Sequence, residues 1–225
     1  MTASSIPPAT ADLAGALAAQ LIEDLGSTPG TRTVGIAGGP GSGKSTLASA
    51  LVGALRTRRR DLAPALVPMD GFHLRQAELV RRGLADRKGA PETFDPAGLA
   101  GVLDALRAPR RGPVAVPDYD RALHEPVPGR ISVPSETRIV VVEGNWLCLD
   151  SSPWLKVRER LDSVWFLDVP WDVCRERLVR RRVATGREPG AARAWVDAVD
   201  AENYWLAHDS SRLADRILTP GNDRA

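Results

Sequence analysis

Short apolar runs rich in β-branched residues alternate with segments of helical spacing along most of the chain. Five such runs predict β-strands, at residues 33–37, 65–69, 139–142, 164–169 and 214–218. Apolar residues at every third or fourth position predict helices, at residues 13–25, 47–55, 96–106, 171–184 and 191–207. Strands that alternate with helices in this way are typical of an α/β domain of three layers.

Two local details support this interpretation. Residues 139–142 read Ile-Val-Val-Val with no polar position, which is the pattern of a parallel strand buried on both faces. Asp95 followed by Pro96 predicts a helix start, because the aspartate can cap free amides and proline fits the first turn.

Two segments break the alternation. Residues 1–9 contain two adjacent prolines and small polar residues, and predict a flexible N-terminus. Residues 112–134 are rich in proline and have no helical period, which predicts an irregular excursion with a strand pair. Because no linker divides the rest of the chain, we expect residues 10–225 to form a single domain.

The residues between the first predicted strand and the next helix form a glycine-rich loop. Residues 38–45 read Gly-Gly-Pro-Gly-Ser-Gly-Lys-Ser and match the phosphate-loop pattern G-x-x-x-x-G-K-[ST]. Glycine lets successive amides face a phosphate, and a helix N-terminus favours an anion. Lys44 would place a charge at the β- and γ-phosphates, and Ser45 would offer its hydroxyl to Mg²⁺. The predicted nucleotide-binding residues are Gly39, Gly41, Ser42, Gly43, Lys44, Ser45 and Thr46.

Composition and charge narrow the function classes. Apolar residues make up 43% and charged residues 26%, near the averages for soluble globular domains. The net charge is only +2, so the charge balance does not favour a nucleic-acid partner. No apolar stretch approaches the ~20 residues of a membrane span, and no signal-peptide pattern is visible, so a cytoplasmic location without a membrane is expected. Of 30 basic residues only Lys44, Lys88 and Lys156 are lysines, which makes a lysine in the phosphate loop informative.

Two carboxylates have the positions that phosphoryl transfer requires. The reaction needs one carboxylate to deprotonate the acceptor hydroxyl and another near Mg²⁺. Asp70 follows a predicted strand, at the sheet edge where α/β domains bind ligands. Glu143 follows residues 139–142 and is predicted, with Ser45, to hold the metal.

Arginines in the C-terminal half are candidates for contacts to the migrating phosphoryl group. Arg177 and Arg181 lie one helical turn apart, just before Gly186. A glycine at this place can act as a hinge, so a lid is predicted at about residues 175–190. Together with Lys44 and Asp70, these two arginines form the predicted catalytic set.

Four sequence blocks outside the loop resemble a known family. In order they are MDGFH at 69–73, RKGAPETFD at 87–95, PDYDRALH at 117–124 and VEGNW at 142–146. With the phosphate loop they resemble the P-loop kinases that include uridine kinase, type I pantothenate kinase and phosphoribulokinase. The likeness is greatest to a bacterial branch described as nucleoside/nucleotide kinase-like or as fructose-transport-associated kinases.

The resemblance implies a P-loop NTPase fold with a parallel five-stranded sheet, a helical lid, and a kinase that uses ATP and Mg²⁺. It implies that Asp70 is the catalytic base and that Tyr119 and His124 contact the acceptor from the excursion. It also places His73 and Arg121 among the acceptor-binding residues.

The identity of the acceptor stays open. The segment after Asp70 reads Gly-Phe-His where uridine kinases typically have Ser-Phe-Tyr. We predict phosphorylation of a hydroxyl group of a small metabolite, a nucleoside first, with pantothenate or a fructose-like sugar as alternatives. An alternative from another class is a regulatory or assembly protein that hydrolyses ATP, although such a switch has no need of the Asp70 and Tyr119 blocks. A homodimer is also left open.

Overall fold

The computed structural model describes residues 6–26, 29–109 and 112–220. Five parallel strands form its central sheet: β1 Arg32–Ala37, β2 Ala65–Pro68, β5 Ile139–Gly144, β6 Ser163–Leu167 and β7 Arg216–Leu218. Their order across the sheet is β2-β5-β1-β6-β7. Each strand coincides with a predicted one to within two residues, and the predicted α/β fold is confirmed.

The helices are α1 Pro8–Leu25, α2 Lys44–Arg58, α3 Gln76–Arg82, α4 Pro96–Arg107, α5 Trp154–Arg158, α6 Trp171–Ala184, α7 Pro189–Trp195 and α8 Ala201–Ser210. No helix in the described ranges combines the length and the apolar character needed to cross a membrane. The remaining strands, β3 Val114–Asp120 and β4 Glu125–Val133, pair antiparallel in a separate two-stranded sheet. This hairpin is the strand pair predicted for residues 112–134.

Alternate residues of β5 enter two separate cores. Ile139 and Val141 pack with α1 and α2 on one face of the sheet. Val140 and Val142 pack with α4 and α5 on the other face. Because both faces are covered by helices, β5 has no polar alternation, as the pattern predicted. The predicted cap of α4 is also present, since the Asp95 side chain accepts a hydrogen bond from the Gly98 amide.

Several local elements differ from the expectations, among them the short helix α5, which was not predicted. Helix α1 begins at Pro8, inside the stretch predicted to be flexible, while residues 1–5 lie outside the described residues. The helix predicted at 191–207 is interrupted by a π-helical segment at Val196–Asp200, between α7 and α8. Helix α3 was not predicted, because Leu79 is its single buried residue and leaves no apolar period to detect.

The strand order brings the predicted chemistry to one edge of the sheet. The phosphate loop follows β1, Asp70 follows β2, and Glu143 lies near the end of β5. Strand β5 lies between the other two, with Pro68 paired to Glu143 and Ala37 paired to Gly144. Since the strands are parallel, all three groups are at their carboxyl ends, where α/β sheets bind ligands.

Candidate active site

The phosphate loop is built around glycines in the left-handed region. Gly41 has φ 82° and Gly43 has φ 96°, backbone angles that other residues rarely adopt. Gly43 is also the N-cap of α2 and makes no side-chain cap hydrogen bond. The first amides of the helix therefore point to the loop without a capping side chain, which suits a phosphate.

Lys44 reaches back across the loop. Its Nζ lies 3.5 Å from the carbonyl oxygen of Gly39. Desolvation by the surrounding protein lowers the pKa of Lys44, while the carboxylates of Glu143 and Asp70 act to raise it. The ammonium group is thus within electrostatic range of both predicted carboxylates, in a half-buried position.

Glu143 is a buried carboxylate beside the loop. Its Oε2 accepts a hydrogen bond of 3.0 Å from the Ser45 hydroxyl. Burial, and then the charge of Asp70, raise the pKa of Glu143 to about 7 against the opposing effect of the Lys44 charge, because burial disfavours the ionised carboxylate. A carboxylate and a hydroxyl side by side are the oxygen donors that Mg²⁺ takes together with phosphate oxygens. The residues therefore fit the predicted metal.

Asp70 is half-buried in the 3₁₀ turn Met69–Phe72 that follows β2. Its neighbour Gly71 lets the hairpin approach closely, since an added Cβ would lie 2.3 Å from the carbonyl oxygen of Pro117. His73 Nδ1 donates a 2.9 Å hydrogen bond to the Asp70 carbonyl oxygen, and desolvation lowers the pKa of His73. These contacts place Asp70 between the sheet and the hairpin.

The hairpin turn brings Tyr119 and His124 to the same side. His124 has φ 54°, a strained angle for a residue with a side chain. Its carbonyl oxygen accepts a 3.0 Å hydrogen bond from Lys88 Nζ. Lys88 also lies 5.5 Å from the centroid of the Tyr119 ring, and burial, with Asp70 next, raises the pKa of Tyr119 to about 12. Lys88 therefore connects the block at 87–95 to both hairpin residues.

Two cavities meet at the phosphate loop. The larger, of about 510 Å³, is lined by the predicted site residues Gly41, Lys44, Ser45, Asp70, His73, Tyr119, Arg121, His124, Glu143 and Arg181. The smaller, of about 240 Å³, shares Gly41, Lys44, Ser45, Arg121 and Arg181, and adds Gly43, Thr46 and Arg177. The residues common to both include the loop lysine, so the boundary between the cavities is where a phosphoryl group could be exchanged.

The two predicted lid arginines have different surroundings. Arg181 lines both cavities. Arg177 lines the smaller cavity, and its Nη1 donates to the carbonyl oxygens of Gly41 and Ser42 at 3.3 and 3.1 Å. The structure therefore brings Arg181 toward Asp70 and leaves Arg177 on the loop. Whether residues 175–190 move as a lid stays a prediction.

Two of the predicted loop residues line neither of these cavities. Gly39 packs against Tyr204, whose ring an added Cβ would approach to 2.5 Å. The Ser42 side chain is buried, and its amide donates to the Gly39 carbonyl oxygen at 3.2 Å. Both residues shape the loop from within.

The larger cavity also contains residues that the sequence did not single out. Asn145 has a buried Oδ1 with no partner among the described residues. Asp200, in the π-helical segment, accepts a 2.9 Å hydrogen bond from Arg182, whose guanidinium lies 5.1 Å from the Trp195 ring centroid. Asn145 could have been found from its place in the block VEGNW, whereas no local signal marks Asp200 or Trp195.

Fold and site together define an ATP-dependent kinase with a phosphate loop, as the sequence resemblance implied. The chain belongs to the Phosphoribulokinase / Uridine kinase family, whose model matches residues 33–200.

Individual relatives are consistent with this assignment. The uncharacterized protein YggC of Escherichia coli is 37% identical over 80% of this chain and 73% of its own length. A protein provisionally named a uridine kinase in Schizosaccharomyces pombe is 34% identical over 68% of this chain and 67% of its own. A crystal structure provisionally assigned as a fructose transport system kinase from Silicibacter is 36% identical, with a TM-score of 0.83, over 91% of this chain and 98% of that one.

Proposed function

We propose that the chain transfers the γ-phosphoryl group of ATP to a hydroxyl group of a small metabolite bound between Asp70 and the β3–β4 hairpin. The observation that carries this proposal is the larger cavity, in which Lys44 and Ser45 face Asp70, Tyr119 and His124. A protein that only hydrolyses ATP has no need of a second compartment of this size beside the phosphate loop.

The reaction is a single displacement at phosphorus. The acceptor oxygen attacks the γ-phosphorus while the bond from that phosphorus to the bridging oxygen breaks, and ADP leaves with the electron pair. The Asp70 carboxylate takes the proton of the acceptor hydroxyl. Lys44, Arg121 and Arg181 lie where charge spreads over the migrating group, and such positioning supplies most of the catalysis in this class.

Ser45 and Glu143 would hold Mg²⁺ through the hydroxyl and the carboxylate oxygens. Bound there, the ion would neutralise charge on the phosphates of ATP. With Mg²⁺ bound, Glu143 would be ionised, since the ion would add to the charge of Lys44 and compensate the unfavourable burial of the carboxylate.

A further cavity of about 340 Å³ is a candidate site for the adenine base. Leu13, Leu47 and Leu167 give it an apolar lining, and Gly43, Thr46 and Arg177 join it to the phosphate loop. A flat aromatic base with few charges suits such a lining. The N-terminal helix α1, which precedes the matched family region, would thus contribute to nucleotide binding.

The acceptor classes predicted from the sequence are a nucleoside, pantothenate and a fructose-like sugar. The relative provisionally named a uridine kinase supports the first, and the structure assigned as a fructose transport system kinase supports the third. A screen for ADP release with Mg²⁺ and ATP, against uridine, pantothenate, ribose and fructose, tests the proposal. We expect one small alcohol to raise ADP release well above the rate with water alone. Stimulation by a protein and by none of the alcohols would favour the ATP-hydrolysing regulatory protein instead.

A further inference from the structure

The larger cavity has more positive charge than phosphoryl transfer accounts for. Six cationic side chains line it: Lys44, Lys88, Arg121, Arg181, Arg182 and Arg187. Lys44, Arg121 and Arg181 also line the smaller cavity beside the loop, so the phosphates of ATP account for them. Arg182 is paired with Asp200 at 2.9 Å. Lys88 and Arg187 line the larger cavity but not the smaller one, so the phosphates of ATP do not explain their charges.

Lys88 is held in place without a counter-ion among the residues that the structure describes. Its Nζ donates to the His124 carbonyl oxygen at 3.0 Å and to Gln76 Oε1 at 3.3 Å. An ammonium group has three N–H donors, so one is left for a ligand. The carboxylate of Glu125 acts on Lys88 from beyond ion-pair distance, and its Oε1 already accepts a hydrogen bond of 2.9 Å from the Gln76 amide.

A half-buried cation in this position is unfavourable unless something compensates its charge. Among the described residues, no ion pair includes Lys88 or Arg187. The three carboxylates of the cavity are otherwise engaged, since Asp70 and Glu143 serve phosphoryl transfer and Asp200 is bound to Arg182. Among the described residues, the acceptor end therefore offers cationic hydrogen-bond donors and no free carboxylate, and the Asn145 Oδ1 is its buried acceptor without a partner.

We propose that the acceptor carries an anionic group, a carboxylate or a phosphate ester, in addition to its reactive hydroxyl, and that Lys88 binds this group at the cavity that Arg187 also lines. The inference rests on the proposed function and narrows it. It favours an anionic acceptor over a neutral nucleoside or free fructose, and it gives a role to the lysine of the RKGAPETFD block.

Pairs of acceptors that differ in one anionic group test directly whether the acceptor must be charged. Pantothenate differs from panthenol by a carboxylate in place of an alcohol, and fructose 6-phosphate differs from fructose by a phosphate ester. We expect ADP release to rise with at least one anionic member and to stay at the rate with water for its neutral partner. The pair that responds distinguishes a carboxylate from a phosphate ester. Equal turnover of both members of a responding pair, or turnover of uridine alone, would overturn the inference and leave the kinase proposal intact.

Lys88→Met tests the residue. We expect the KM of the active anionic acceptor to rise at least about tenfold, as for loss of a charge-assisted hydrogen bond, while the Kd of a non-hydrolysable ATP analogue changes less than about twofold. The matched control is Lys156→Met, because Lys156 is exposed on α5 and lines neither of the two cavities. An acceptor KM that is unchanged in Lys88→Met would overturn the assignment.

Ligand-induced thermal shifts separate the two proposals. Anionic probes that stabilise the wild type and not Lys88→Met, with no ADP release from any acceptor, would support the anion site and contradict the kinase proposal for these acceptors. The absence of a Lys88-dependent shift with pantothenate, fructose 6-phosphate and inorganic phosphate would overturn the anion site.

Discussion

The proposed nucleotide side and the proposed acceptor side of the candidate active site are built in different ways. The proposed nucleotide side is centred on a contiguous loop, with left-handed glycines at Gly41 and Gly43 and the uncapped N-terminus of α2. The acceptor side is assembled from side chains of separate segments: the turn after β2, the block at 87–95, the β3–β4 hairpin and the segment from α6 to α8.

This difference in construction distinguishes the features that phosphate-loop proteins share, which are in the backbone, from those that select the substrate, which are in the side chains. Backbone amides contribute the same groups whatever the side chains are, so the nucleotide side can stay constant while the acceptor side varies. On the acceptor side, Lys88 and His124 depend on each other for position, because one donates to the carbonyl oxygen of the other. Substitutions should therefore affect the two sides separately, except at residues on their boundary.

The largest expected effect is the loss of turnover in Asp70→Asn. The amide has nearly the same shape but cannot take the acceptor proton, so we expect kcat to fall by about 10²- to 10⁴-fold. The Kd of a non-hydrolysable ATP analogue should stay close to that of the wild type, because the nucleotide side is unchanged. Steady-state kinetics and equilibrium binding measure both quantities. Full activity in this variant would contradict the assignment of the base.

Gly71→Ala should displace the acceptor side and leave the nucleotide side in place. The added Cβ would lie 2.3 Å from the Pro117 carbonyl oxygen, so the hairpin must shift away from Asp70. A displacement of about 1 Å can cost on the order of 10²-fold in rate, and we expect kcat/KM for the acceptor to fall by that order while ATP binding persists. Gly101→Ala is the matched control, since no atom lies within 4 Å of its added Cβ. If both variants have wild-type kinetics, the hairpin does not position the acceptor.

His124→Ala should act on the acceptor alone. Loss of one hydrogen bond corresponds to a rise in acceptor KM of about two- to tenfold, with little change in the KM for ATP. Leu123→Ala is the control, because Leu123 is in the same turn, is 67% exposed and does not line the cavity. An unchanged acceptor KM in His124→Ala would argue against the hairpin as the acceptor site.

The smallest expected effect is a change in thermal stability on replacing Glu143, which lies on the boundary between the two sides. Its pKa is raised to about 7 in the folded chain, above the unfolded value, so folding is disfavoured increasingly as the pH rises from about 4.5 to 7. Without divalent cations, we expect Glu143→Gln to have a Tm a few degrees above the wild type near pH 8, with the difference shrinking toward pH 5. Thermal unfolding in EDTA at both pH values measures it. A Tm difference that does not depend on pH would contradict a buried ionisable Glu143.

Most of the fold could be predicted because its signals are local. The apolar run of β5 reflects burial of every residue in the strand. The start of α4 at Asp95–Pro96 reflects a hydrogen bond between residues three positions apart. The start of α1 and the break at Val196–Asp200 could not be predicted in the same way. A π-helical turn follows the same apolar period as the α-helices on either side of it, so the period does not reveal the break, and its Asp200 accepts a hydrogen bond from Arg182 of α6.

The sequence by itself determined the phosphate loop, the alternation of strands and helices, and the positions of Asp70 and Glu143 at strand ends. These features follow from backbone conformation and from the period of buried residues, which are properties of short segments. The tertiary structure decided which distant groups share one cavity. It placed Lys88 against His124 and Tyr119, kept Arg177 on the loop, and brought Asp200 and Asn145 to the larger cavity. Such neighbours depend on how helices and hairpin pack around the sheet edge, which no pattern within a single segment specifies.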